Sequence, residues 1–257
     1  MKNEKMNVKT VDNNRRRFLK VSGLALAGTG LLMACSNDDD FVPADPDPNP
    51  NPDPDPNVFD LGSGNLGILN YAYALEQLEA AFYAKVREGQ YYAGTSGTER
   101  QLLDDVYYHE AIHREFFKTA ISSVVSADQV LPELSFDFSS VDFNSRDVVL
   151  ATSVALEDTG VSAYNGAGQL IDVSNDAGKA YLGLAGKIVS VEARHASAFR
   201  DLVNPGSMDF AGDDILVNLG GTGNSYDKAI LPADILAAVG NLGFITTAFT
   251  ANNLPTS

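Results

Sequence analysis

Tryptophan is absent from this 257-residue chain, and cysteine occurs once, at Cys35. A lone thiol cannot close an intramolecular disulfide, so no disulfide framework holds the fold. Nor can it build a thiolate metal site, which needs several cysteines. Histidine is nearly as scarce: only His109, His113 and His195 are present, so any imidazole chemistry belongs to these three. Positive charge is short as well, with 18 Lys and Arg against 34 Asp and Glu. Seven of those basic residues and two of the acidic ones lie in residues 1–34, which leaves 11 against 32 and a net charge of -21 for the remainder. A surface of that sign excludes nucleic acid as a partner, because phosphate binding needs a basic face. It attracts cations.

The chain opens on features of export. Asn14-Arg15-Arg16-Arg17-Phe18-Leu19-Lys20 resembles the twin-arginine signal of bacteria. The apolar stretch from Val21 to Ala34 is too short to span a bilayer and suits a signal-peptide core. It closes on Leu32-Met33-Ala34-Cys35, which resembles a lipoprotein processing box with Cys35 as the lipidated residue. The acidic run Ser36-Asn37-Asp38-Asp39-Asp40 resembles the surface-export signal of some outer-membrane lipoproteins. From Pro43 to Pro56 proline alternates with Asp, Asn or Ala, a pattern that predicts an extended, solvated spacer. The expected layout is a signal peptide over 1–34, a lipidated cysteine and acidic Pro-rich linker over 35–58, a globular domain over 59–203 and a C-terminal extension over 204–257 that packs on it. The expected location is the periplasm or outer surface of a Gram-negative bacterium, with the membrane as partner through Cys35.

Apolar periodicity predicts four long helices: Asn65 to Glu88, a second ending near Ser123, a third from about Ser145 to Leu170, and a fourth from Ser174 or Asn175 to just before Asn204-Pro205-Gly206. Capping boxes at Thr98–Gln101 or Ser96–Glu99 mark the second start. The first and third connections are short, so each joins an antiparallel pair. The second connection, about twenty residues with Pro132 inside, is long enough to cross the bundle and set the second helix parallel to the third. This predicts an all-α four-helix bundle of two hairpins and one long crossover. In the tail, Leu231-Pro232-Ala233-Asp234 predicts a short helix through Ala238.

Within the apolar stripes sit residues that do not belong in a core. Glu76 lies among Leu69, Ala72, Tyr73, Ala80 and Tyr83, and Glu157 among Leu150, Val154, Val161 and Tyr164. The second and fourth helices each carry Glu-x-x-His on the inward stripe: Glu110 with His113, and Glu192 with His195. Four converging carboxylates repel one another unless positive charge lies between them. Two divalent cations supply that charge, and two neutral imidazoles complete the donor set. The chain also repeats. Leu75-Glu76 precedes Tyr83 as Leu156-Glu157 precedes Tyr164, and Glu110-Ala111-Ile112-His113 matches Glu192-Ala193-Arg194-His195. The two hairpins therefore read as pseudo-twofold copies. Glu79 falls opposite Gly160, which favours Glu76 as the ligand and leaves Glu79, with Glu88 and Asp158, as solvated or local helix charges.

Three segments, 75–83, 109–117 and 155–160, are similar to the ferritin-like family that includes desiccation-related proteins. The resemblance runs from about residue 64 to 203. It implies that Glu76, Glu110, His113, Glu157, Glu192 and His195 are the metal ligands, with Glu110 and Glu192 bridging two iron ions, two manganese ions or one of each. It also implies that Tyr83 and Tyr164 donate hydrogen bonds to the ligands. Many such bundles carry Asp just before the Glu of Glu-x-x-His, where this chain has His109 and Val191. His109 is then a support or a partly exposed histidine rather than a ligand.

The expected activity is redox chemistry with dioxygen or peroxide in stress protection, as a ferroxidase, peroxidase or catalase-like protein. The rival is a non-catalytic metal-binding surface protein. His109-Glu110-Ala111-Ile112-His113 is also a formal HExxH of zinc proteases, but that reading leaves the second Glu-x-x-His copy unexplained. A lipid tether crowds a closed cage, so a monomer or small oligomer is expected, not a ferritin shell.

Overall fold

The computed structural model describes residues 58–218 and 224–256. The expected signal peptide, Cys35 and the linker to residue 57 lie outside the described residues. Among the described residues no helix is long and apolar enough to cross a membrane.

The helices, in chain order, are α1 (Gly64–Val86), α2 (Gln90–Gly94), α3 (Gly97–Ser122), α4 (Arg146–Gly168), α5 (Asp176–Val203) and α6 (Pro232–Leu242). The four long ones form the bundle. Two of their starts are held by side-chain caps: Ser145 Oγ accepts from Val148 N, and Asn175 Oδ1 accepts from Gly178 N. The expected capping box on α3 is not formed. Ser96 occupies the cap position without a side-chain bond, and the Glu99 carboxylate that would return to the Ser96 N–H is taken by Arg146 in a paired contact of 2.9 and 3.0 Å and by the Tyr91 hydroxyl. A paired guanidinium–carboxylate contact outweighs one amide bond at a helix end. The short helix α2, absent from the expected elements, brings in Tyr91 and Tyr92 as buried rings.

Hydrogen bonds at both ends of the bundle fix its direction. Asn65, at the start of α1, pairs through its side chain with the backbone of Asp172, in the turn between α4 and α5. Gln90 N, just past the end of α1, donates to Asn144, just before α4. So α4 runs against α1, and α3 and α4 are parallel, as the long crossover predicts. The crossover lies along α1. Asn70 donates to Gln129 O and accepts from Leu131 N, and Gln77 donates to Pro132 O and accepts from Leu134 N. These two amides, seven residues apart, satisfy the buried N–H groups of Leu131 and Leu134, which would otherwise lack partners. With Leu131 and Leu134 also packed inward, α1 is buried around its whole circumference from Gly67 to Ala80. That exceeds the expected stripe.

The tail covers the bundle. Its helix reaches Leu242, beyond the expected Ala238, and buries Ile235 and Val239. It lies close to α4: Ile230 N donates to Ser162 O at 3.1 Å, and a methyl on Gly166 would lie 1.8 Å from Ile230 O. Only glycine permits that approach. Two small strand pairs complete the structure: β1 (Phe59–Asp60) runs parallel to β4 (Phe249–Thr250), and β2 (Leu216–Asn218) runs antiparallel to β3 (Asn224–Asp227).

Candidate metal centre

Each long helix delivers its polar residues at mid-length, where the surrounding apolar stripe buries them. Glu76 on α1, Glu110 on α3, Glu157 on α4 and Glu192 on α5 are all 0% exposed. His195 is buried beside them, and His113 is mostly covered. The six side chains form two overlapping groups, Glu76–Glu110–His113–Glu192 and Glu110–Glu157–Glu192–His195. Within each group, one donor atom per residue lies within 4.8 Å of all the others. Glu110 and Glu192 belong to both groups.

The imidazoles show why a cation suits this place. Nδ1 of His113 lies 3.0 Å from Glu192, 3.2 Å from Glu110 and 3.4 Å from Glu76. Nδ1 of His195 lies 2.8 Å from Glu110, 3.2 Å from Glu157 and 3.6 Å from Glu192. One N–H can satisfy one of three oxygens, so buried acceptors are left over. Glu76 Oε2, Glu110 Oε1 and both oxygens of Glu192 have no aligned hydrogen bond. A divalent ion facing three carboxylates and a neutral imidazole removes that deficit. The donor set, oxygen with some imidazole and no thiolate, suits divalent metal ions.

Without cations the cluster keeps protons instead. Burial pushes the Glu76 carboxyl up to about 8, against the pull of His113. Burial likewise raises Glu157. Glu192 goes the other way, to about 2: burial disfavours its charge, but contacts with both imidazoles outweigh it. Burial also opposes protonation of His113 and His195, yet the surrounding carboxylates hold both up at about 12.

The tyrosines repeat the pseudo-twofold relation across the bundle. Tyr83 of the first hairpin donates to Glu157 of the second, and Tyr164 of the second donates to Glu76 of the first. The Tyr164 ring also lines an apolar cavity of about 50 Å³, one turn from Glu76, beside Leu69, Ala72, Leu75 and Phe117. His109 stands behind His195: its Nδ1 lies 2.8 Å from His195 Nε2, which leaves His195 Nδ1 facing the carboxylates. His109 is in neither metal-capable group, so the two histidines of HExxH do not meet on one ion.

Two of the expected surface charges are placed elsewhere. Glu88 is exposed and pairs locally with Lys85. Asp158 instead meets Arg200 of α5, which also reaches Asp214, so it ties α4, α5 and the tail together. Glu79 is buried, 3% exposed, with Oε2 unpartnered. Its spacing of three from Glu76 puts it on nearly the same helix face, and that was the available signal.

A family model described as a ferritin-like domain matches residues 64–205. The chain belongs to this ferritin-like family. Among curated proteins no match is found. The matched span of this ferritin-like domain opens at the first residue of α1 and closes just past α5, so it holds all six clustered side chains.

Proposed function

We propose that this ferritin-like protein holds two iron ions, two manganese ions or one of each, and uses them in redox chemistry with dioxygen or peroxide in stress protection. The observation that carries the reading is the pair of overlapping donor groups sharing Glu110 and Glu192. Glu76 and His113 would hold one ion, Glu157 and His195 the other, and the two shared carboxylates would bridge them. Such a pair supplies one electron per ion, which matches two-electron chemistry on a small oxidant.

The chain's own residues set the conditions. Tyr83 and Tyr164 fix the carboxylates of Glu157 and Glu76 by donating to Oε1 of each. His109 holds His195 in one ring orientation. The apolar cavity beside Tyr164 has room for a molecule as small and apolar as dioxygen.

Anaerobic ferrous titration followed by air tests the reading. Two irons per chain, with dioxygen uptake and growth of ferric absorbance, is the expected result. Binding of two irons without dioxygen uptake would leave a sequestering protein. The envelope location is part of the same proposal and rests on the residues before 58. Fatty-acid labelling of the exported protein should be lost in Cys35→Ser. The tether supports a monomer or small oligomer over a storage shell.

A further inference from the structure

We infer that the apolar cavity at the end of the bundle where α1 and α5 begin is a binding site for a small neutral organic molecule, one with a hydrocarbon body and a single oxygen acceptor. The void is set by residue choice on every helix. Its wall draws on all four long helices, and each places a small residue there: Ala72 on α1, Ala120 on α3, Ala167 on α4 and Ala185 on α5. Larger apolar side chains at these four positions would close the space. The unfilled volume of about 50 Å³ forgoes contacts that a packed core makes. It has room for about four non-hydrogen atoms, taking about 10–15 Å³ for each water-sized group. Water itself suits it poorly, because a buried water needs several polar partners and this wall is almost wholly carbon.

The wall also shows where such a molecule would enter. On α1 and α4 it is buried, as at Leu69 and Tyr164. On α3 and α5 it is half-buried, at Phe116, Tyr181 and Leu184. The floor therefore lies against α1 and α4, and the mouth lies between α3 and α5.

Three tyrosines stand in this wall, and one of them lacks a partner. Tyr164 donates to Glu76, and Tyr181 is half-buried at the mouth. Tyr71 is 1% exposed, and its hydroxyl has no hydrogen-bond partner. A buried donor without an acceptor is costly, and an acceptor that arrives with a ligand removes the deficit. A carbonyl or hydroxyl oxygen can do so. A charged group cannot, since the rest of the wall would leave it unsolvated. The ligand class follows: neutral, mostly hydrocarbon, with one oxygen. The site needs no metal. Because Tyr164 forms part of the floor, an occupant would shut dioxygen out of this side of the bundle.

Two probes test the two parts of the inference. Xenon has no acceptor and reads the void alone, whereas butanone has a short apolar body and one carbonyl. Xenon-pressurised crystals of the full chain should show density in the cavity. Butanone should raise the thermal midpoint of the full chain in a saturable way and appear in soaked crystals within bonding distance of the Tyr71 hydroxyl. Tyr71→Phe should keep the xenon and weaken butanone by about 2- to 10-fold, the worth of one neutral hydrogen bond. It should not lower the midpoint of the empty protein, because the hydroxyl that it removes had no partner. Ala120→Leu with Ala185→Leu, both at half-buried positions, should fold and exclude both probes. Absence of xenon from wild type, equal butanone binding by Tyr71→Phe, or butanone still bound by the filled variant would overturn the inference. So would an ordered water already bonded to the Tyr71 hydroxyl, or an empty Tyr71→Phe protein less stable than wild type.

Discussion

Raising the pH should weaken the metal-free protein and strengthen the metal-bound one. Glu76 has a folded pKa of about 8 against an ordinary 4.5. Between those values the folded chain keeps a proton that the unfolded chain has released. Its contribution is therefore present at low pH and fades as pH rises through the window. One proton is worth about 1.4 kcal/mol per pH unit, so Glu76 alone accounts for about 5 kcal/mol across that window at the upper limit. Glu79 and Glu157 are raised by burial and act in the same sense. His113 and His195 add to it: with folded values near 12 and ordinary values of 6.5, their support is full below pH 6.5 and declines above it. Glu192 opposes only in acid, since its support is lost as pH falls from 4.5 toward 2. A whole domain is stable by about 5–15 kcal/mol, so the effect is large. Cations compete with these same protons, so metal binding tightens as they leave. Urea unfolding with chelator at pH 5, 6, 7 and 8, repeated with saturating Mn2+, reads both curves. They should diverge as pH rises. A metal-free stability that holds level or climbs from pH 5 to 8 would refute the reasoning.

Tyr83→Phe removes the donor to a fully buried carboxylate and should cost about 1.5–3 kcal/mol in metal-free protein by the same unfolding assay, with Tyr164→Phe similar. Gly166→Ala drives a methyl into Ile230 O and should lift the tail from α4, with a loss of about 1–3 kcal/mol and faster amide exchange over Pro232–Leu242. Arg200→Met strands Asp158, whose pKa burial already raises, and should cost about 3 kcal/mol; Asp158→Asn in the same chain should recover part of it.

The six clustered residues were legible because each breaks an apolar stripe and because every piece has a matching copy about 80 residues on. The burial of Glu79 was not legible: its Oε1 sits beside Gly160 of another helix, where a methyl group would lie 3.1 Å from it. That relation joins residues on different helices and has no local signature. The capping box on α3 failed for a like reason: Arg146, which takes Glu99, is 47 residues away in sequence. The direction of the bundle followed from connection lengths. The burial of the outer face of α1 did not, because it depends on which groove the crossover follows, and Asn70 and Gln77 decide that through bonds to a segment with no periodicity of its own. The strand pairs are too short to mark themselves by alternation.

The small β1–β4 clasp bears on how the domain carries load. Phe59 and Asp60 lie beside Phe249 and Thr250, Leu61 N donates to Thr250 O, and the Asp60 carboxylate takes bonds from Gly62, Thr250 and Asn253. Any tension arriving along the chain ahead of Phe59 meets this knot before it reaches α1. The knot would yield by shearing the last residues of the chain off their neighbour, while the helices around Glu110 and Glu192 stay slack. A protein pulled from that end would shed its rim first and keep its centre.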